Sequence, residues 1–436
     1  MQSVKSTALP WLVLAGSLLV SLGFWRWADH VLVPVYTANA QARGWPIGNN
    51  SDLYPIWLTA REVLLEGRTP YSAQLTADIQ TGFYGKQLDP RNPGDPANLQ
   101  AFAYPLYVIF LVAPTVTLPF GTVVQIFRVL LLLSTASSVP LWMYVLGMRR
   151  TPLLTVSIMV LAVSNFPVLL EDRQQNLSAL VVLLLACSIA ACARNWLTMG
   201  GFLIALSTIK PQLSALLIGW LLLWALSDWP RRGRLVWSFL ISFLGLLAAA
   251  TVVSPHWASG FWRAVRMYRS YLSPSILQIL LPPMLGSVAI AALLVFLGIV
   301  CWKRRKARIG SIEFAWTLAL LVTVTVTITI GWAHYQLLLV PALLLLSASV
   351  DARHSKSFLT RALTKGTFAC LLWQWGTAFC LALCSVFVPA SRLRMAAELP
   401  IYTSPALCLL ALSAVVAAIL SMPSVGKAVP ELGRPA

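Results

Sequence analysis

Along this chain, apolar runs of membrane length alternate with short polar turns, and the pattern breaks once, at a long polar stretch over residues 28–100. The runs are continuous and rich in Leu, Ala and Val instead of alternating residue by residue, so they predict helices and not the strands of a membrane barrel. They fall at 9–27, 119–147, 151–170, 176–193, 197–210, 211–227, 235–253, 277–301, 311–330, 334–350, 366–388 and 404–422. All but the fifth approach the ~20 residues that a bilayer needs. Hydrocarbon offers open backbone N–H and C=O groups no partner, so the predicted fold is an all-α polytopic membrane bundle of about 12 transmembrane helices. The first run follows a basic lead containing Lys5, but it is too long for a signal peptide and lacks a small-residue cleavage site, which predicts a retained span.

The polar stretch has a periodicity of its own. Leu53, Ile56-Trp57, Ala60 and Val63-Leu64 recur at three-to-four spacing, while Arg61, Glu62 and Glu66 point elsewhere. That spacing predicts an amphipathic helix lying flat on the membrane and ending at Gly67. Residues 102–118 are apolar but contain Tyr104-Pro105 and Pro114, and they admit two readings: a re-entrant or interfacial segment, or a thirteenth span. The first is preferred, because a span there would carry Arg149-Arg150 to the opposite side. The predicted organisation is one domain over 1–436, with an extracytoplasmic loop at 28–118, a transmembrane bundle at 119–422 and a cytoplasmic tail at 423–436.

Composition narrows the class. With 58% hydrophobic and 11% charged residues, a soluble enzyme is excluded. The net charge of +18 sits in clusters at Arg149-Arg150, Arg231-Arg232-Arg234, 303–308 and 353–365, the pattern of cytoplasmic loops facing anionic headgroups and not of a nucleic-acid binder. The seven cysteines all fall in apolar runs, so no disulfide framework or metal cluster is legible, and four dispersed histidines make no zinc site. No phosphate-cradling glycine loop or nucleophilic triad appears, and no cofactor or metal is expected. The chain is thus expected in a cell (inner or plasma) membrane.

With the basic clusters inside, most acidic residues fall outside, and so, against the positive-inside bias, do Arg173, Lys210, Arg263, Arg266, Arg269, Arg392 and Arg394. An anionic lipid phosphate would satisfy several of them. Asp52 has two compatible roles: a cap on the helix that follows, shared with Asn50 and Ser51, or a general base kept ionised by that helix N-terminus. The turn Glu171-Asp172-Arg173-Gln174-Gln175-Asn176 is either a solvated hairpin or a sugar-binding mouth. Lys210, in Ile209-Lys210-Pro211-Gln212, interrupts a run of otherwise apolar residues. It either snorkels to the surface or lines a site at a proline-broken helix. The segment with His256, Trp257, Trp262, three arginines and Tyr268, and the motif Gly331-Trp332-Ala333-His334-Tyr335, read as an interfacial belt or as further site residues.

At these residues the chain resembles glycosyltransferase family 87, polytopic GT-C enzymes that use a polyprenyl-phosphate sugar, often mannose, as donor. Asp52-Leu53-Tyr54 with Trp57, Ala60, Leu64, Gly67, Pro70 and Tyr71 resembles the family's opening pattern, and Tyr104-Pro105 through Pro114 its Tyr-Pro-Pro and Ala-Pro segment. Arg173-Gln174-Gln175-Asn176 stands at the place of its Gly-Gln-x-Asn, Lys210-Pro211-Gln212 at its Lys-Pro-x-Pro, and Trp332-Ala333-His334-Tyr335 with Pro341 at its late Trp-x-His. Arg173 replaces the family's Gly, and Leu213 its frequent Pro. The resemblance implies Asp52 as general base on the acceptor hydroxyl in an inverting sugar transfer on the extracytoplasmic face. It implies that Lys210 helps hold the donor phosphate and that Gln174, Asn176 and His334 line the sugar or phosphate site. Arg173, Arg266 and Arg269 are expected as further donor-phosphate contacts, and Tyr54, Trp57, Tyr104, Glu171, Asp172 and His256 as further sugar or acceptor contacts. Expected partners are membrane lipid, the lipid-linked sugar donor and a lipid or glycan acceptor. The rival reading is a transporter or flippase of an anionic lipid-linked sugar, for which internal repeats would speak; no self-similar halves are legible.

Overall fold

The computed structural model describes residues 4–42, 48–89, 92, 94–96, 98, 100–269, 274–329, 332–351 and 357–422. The predicted tail at 423–436, Arg353 of the last basic cluster, Tyr271 and Gly331 lie outside the described residues. Every regular element among the described residues is helical.

The first helix, α1 (Val4–Trp27), does not stop at the predicted loop boundary. It passes through a π-helical turn, Ala28–Leu32, into α2 (Val33–Ala42), so the predicted loop opens on a helical continuation of the first span. The cause is a stripe at helical spacing: Phe24, Trp27, Ala28, Val31, Leu32 and Val35 bury against Ala378, Leu381, Ala382 and Ala397. Asp29 and His30 fall on the exposed side, where Asp29 pairs with Arg173, so they do not oppose the helix. Trp27 Nε1 fixes the arrangement by donating to the Ala397 carbonyl at 3.0 Å.

Two helices then cross the polar stretch: α3 (Leu53–Glu66), closed by Gly67 at a φ of 65°, and α4 (Ala73–Tyr84), capped by Ser72. The apolar face of α3 meets protein and not the membrane. Leu53, Ile56, Trp57, Ala60 and Val63 join the main core with Leu106, Ile109 and Val112, and of the apolar residues of α3 only Leu64 and Leu65 are exposed. The latter segment is a short helical piece, with 3-10 turns Leu106–Val108 and Ala113–Thr115 flanking α5 (Ile109–Val112). It is buried, broken by Pro114 and too short to cross a membrane.

The bundle continues with α6 (Phe120–Val145), then α7 (Pro152–Ala162) and α8 (Phe166–Gln174), which meet at 61°. Next come α9 (Ser178–Ala193), α10 (Leu197–Leu206) with a 3-10 turn Ser207–Ile209, α11 (Pro211–Leu226), α12 (Trp229–Val253), α13 (Trp257–Arg269) and α14 (Ile276–Leu280). The last are α15 (Pro283–Lys303), α16 (Ile312–Ile328), α17 (Trp332–Tyr335), α18 (Val340–Asp351), α19 (Phe358–Phe387) and α20 (Ser404–Leu420). Among the described residues six helical stretches are long and apolar enough to cross a membrane, or seven with the bent α7–α8 pair. This is a multi-pass α-helical membrane protein. The shorter apolar helices α9, α10, α11, α16 and the α17–α18 run fall where the remaining spans were predicted. Of these, α16 is apolar all round and buried from Phe314 to Thr327, a core helix that meets no lipid.

The turns sort to two ends. Arg194 stacks 5.1 Å over Tyr144, Trp224 Nε1 donates to the Ala307 carbonyl, and Arg304 reaches Met422. These contacts gather the basic turns after α6, α9, α11 and α15 at one end. Asp29, Asp52 and Glu171 stand at the other, where Arg173 pairs with Asp29 and Asp52 meets the end of α8.

Candidate active site

Three helix beginnings converge at the second end: Leu53 of α3, Ser178 of α9 and Pro211 of α11. At α3 the first turn is satisfied by Ser51, whose Oγ accepts from Leu53 N at 3.3 Å and whose carbonyl accepts from Tyr54 N at 2.9 Å. Asp52 makes no side-chain cap. Its backbone N–H donates instead to the Gln174 carbonyl at 2.7 Å, docking the start of α3 onto the end of α8. The carboxylate turns inward: Oδ2 accepts from Asn176 Nδ2 at 2.7 Å, and Oδ1 accepts no hydrogen bond from the described residues.

Behind Asn176 lies Lys210. Its Nζ donates to Asn176 Oδ1 and, at 2.9 Å, to Ser178 Oγ, and it sits 5.4 Å from the centre of the Tyr335 ring. Only 2% of Lys210 is accessible, so it does not snorkel. The helix break makes this possible. Pro211 begins α11 at a position that needs no N–H, and the extended backbone at Lys210 swings the side chain into the bundle. Ser178 Oγ also donates to Asn176 Oδ1 at 2.7 Å, so Asn176 links carboxylate to ammonium.

Two further groups border this chain of bonds with polar capacity unused. Glu171, 1% exposed, receives one long hydrogen bond from Ala179 N at 3.5 Å on Oε2, while its buried Oε1 has no partner. His334 lies within electrostatic reach of Asp52 and Lys210, and its buried Nδ1 has none either. Buried polar atoms are rarely left unpaired, and two of them border the Asn176 bridge.

Phenols form the outer wall. Burial, and then the Asp52 charge, push the Tyr104 hydroxyl well above its ordinary range. The same two causes push Tyr268 of α13 up to about 12. Tyr84 is raised by burial, then by Tyr268 and Asp52, and its hydroxyl donates to the Asn98 carbonyl at 2.6 Å. All three therefore stay protonated at neutral pH.

The other predicted site residues go elsewhere. Asp172 is taken by Arg128 of α6, with Nε to Oδ1 at 2.8 Å and Nη2 to Oδ2 at 2.9 Å. Arg173 pairs with Asp29 and approaches Asp172 Oδ2 at 3.6 Å. Tyr54 and Trp57 pack on Phe120 at 4.9 and 5.1 Å, and Trp57 Nε1 donates to the Thr115 carbonyl. Gln174 contributes its backbone carbonyl. His256 is exposed at the start of α13, where Arg266 stacks 5.3 Å from Trp262 and Arg269 is exposed. Sequence reasoning did not single out Ser178, Tyr84 or Arg128. For Arg128 the signal was present, as a lone charge inside the apolar run at 119–147.

A cavity of about 270 Å³ opens beside the cluster, lined by Asn49, Gln125, Arg128, Asp172, Arg173 and Gln175, without reaching Asp52 or Lys210. No group of three or more His, Cys, Asp or Glu among the described residues is placed to hold a metal ion. Comparison with family models, curated proteins and solved structures finds no match to this chain.

Proposed function

We propose that this chain is a membrane glycosyltransferase. It moves a sugar, mannose in the first instance, from a polyprenyl-phosphate donor to a hydroxyl of a lipid or glycan acceptor, on the extracytoplasmic side of a cell membrane crossed by twelve helices. The observation that carries the reading is the Asp52–Asn176–Lys210 chain of hydrogen bonds: a carboxylate with one free oxygen and a buried ammonium, bridged by one amide at the meeting point of three helix N-termini.

Asp52 Oδ1 takes the proton of the acceptor hydroxyl, whose oxygen attacks the anomeric carbon from the face opposite the phosphate. The bond from that carbon to the phosphate oxygen breaks and its electron pair leaves with the lipid phosphate, inverting the configuration. The leaving phosphate gains charge as this bond breaks. Lys210 and the N-termini of α9 and α11, each equivalent to roughly half a positive charge, stabilise it there. Asn176 holds Asp52 Oδ2 and so aims the free oxygen. Glu171 Oε1 and His334 Nδ1 offer hydrogen bonds to sugar hydroxyls. The gathering of basic turns at the opposite end favours the predicted orientation.

The test supplies the purified chain in liposomes with defined polyprenyl-phosphate sugars and acceptor lipids. Consumption of one donor, release of polyprenyl phosphate and an inverted product linkage are expected. Movement of the donor across the bilayer without consumption would replace this reading by the transporter. Impermeant maleimide reacting with Asn92→Cys only from the cytoplasmic side would overturn the orientation.

A further inference from the structure

At the opposite ends of α9 and α11 from Lys210, roughly 24 Å away along sixteen residues of helix, lies a second polar site. It is a cavity of about 470 Å³ lined by Asn195, Trp224, Asp228, Arg231, Arg232 and Arg308, together with apolar neighbours. We propose that this cavity binds the phosphate of an anionic phospholipid headgroup.

The walls are built and not incidental. Trp224 Nε1 donates to the Ala307 carbonyl at 2.8 Å and Ser227 Oγ to the Arg305 carbonyl at 2.8 Å, which tie the turn after α15 to the end of α11 and so bring Arg308 to Arg231. Asn195, in the left-handed region at a φ of 61°, turns the chain between α9 and α10 on the other side. Helix ends here would by themselves account for one arginine. Arg232 donates to the Trp224 carbonyl at 3.1 Å, lies 4.0 Å from the Trp224 ring centre and is 3.6 Å from Asp228 Oδ2. It is thereby spent. Arg231 and Arg308 donate no side-chain hydrogen bond to the described residues, and one carboxylate faces three guanidiniums. Their surplus charge and forked donors match a phosphate.

The lipid source follows from level. Trp196, Trp229, Trp237 and Trp302 are exposed around the same end, and exposed indoles at the ends of apolar helices mark the membrane–water boundary where headgroups lie. The cavity opens at the level where headgroups lie.

The experiment titrates the full chain in detergent with short-chain phosphatidylglycerol, following tryptophan fluorescence, with short-chain phosphatidylcholine and inorganic phosphate as separate arms. Saturable binding of phosphatidylglycerol is expected, with phosphatidylcholine and inorganic phosphate far weaker. The double variant Arg231→Gln/Arg308→Gln should weaken phosphatidylglycerol binding about 30-fold, the scale of two interfacial cations. Ala193→Trp, at an exposed lining position, keeps every arginine and fills the space, so it should abolish the same signal even if the double variant folds poorly. Inorganic phosphate binding as tightly as the lipid would overturn the lipid assignment. Unchanged phosphatidylglycerol titrations in both variants would overturn the site.

Discussion

The two ends of α9 and α11 hold basic residues in opposite ways. At the Ser178–Pro211 end one lysine is sealed from water, and its ammonium is divided between Asn176 and Ser178. At the Ala193–Leu226 end three arginines line open space, and one of them is held by protein groups. The difference teaches that the setting of a charge, and not its presence, decides what it does. A buried ammonium must be fully coordinated and so fixes the geometry of its neighbours, whereas a solvated guanidinium costs little to keep and stays free for a ligand. In the proposed reading the first end serves chemistry and the second recognition.

The sharpest break in that contrast is Asp52→Asn. The amide preserves the acceptor for Asn176 Nδ2 and leaves the Ser51 cap untouched, so folding should be unchanged while sugar transfer falls by ~10²–10⁴-fold. Transfer rate and thermal midpoint measured on the same preparation check it, and near-normal transfer would hand the proton to Glu171.

Lys210→Met should cost about 3–5 kcal/mol of stability, because it removes two buried hydrogen bonds from a charged donor, to Asn176 Oδ1 and Ser178 Oγ, each worth about 1.5–3 kcal/mol. An unchanged midpoint of thermal unfolding would mean that these two hydrogen bonds carry no stability.

Next in size is Arg128→Gln, which opens the two-point contact with the buried Asp172 and should cost about 1.5–3 kcal/mol. The end of α8 would loosen with it. Transfer should fall through a raised acceptor KM before kcat changes, since the Gln174 carbonyl seats the backbone of Asp52. A drop in kcat alone would place Arg128 in the chemistry itself.

Smallest of all, Arg231→Gln should shift stability by no more than about 0.5 kcal/mol. A surface-open guanidinium with no protein partner has little folding energy to lose. A loss as large as that of Arg128→Gln would erase the contrast between the two ends.

Sequence by itself determined the helical membrane character, the order of the apolar segments and the outliers among them. Asp52, Lys210, Asn176, Glu171 and His334 stand out because a polar group in or beside a long apolar run is costly, and that cost is visible without a structure. The stripe from Phe24 to Val35 keeps its helical spacing on both sides of Asp29, and it carries the first helix past that charge. What only the tertiary structure decided was pairing. Asn176 meets Asp52 across 124 residues and Lys210 across 34, distances over which no helical period runs. For the same reason the adjacent acids Glu171 and Asp172 look alike along the chain. One helical step rotates them by about 100°, so one faces the α9 and α11 beginnings and the other faces Arg128 on α6. Periodicity tells which faces a helix has; packing alone tells what each face meets.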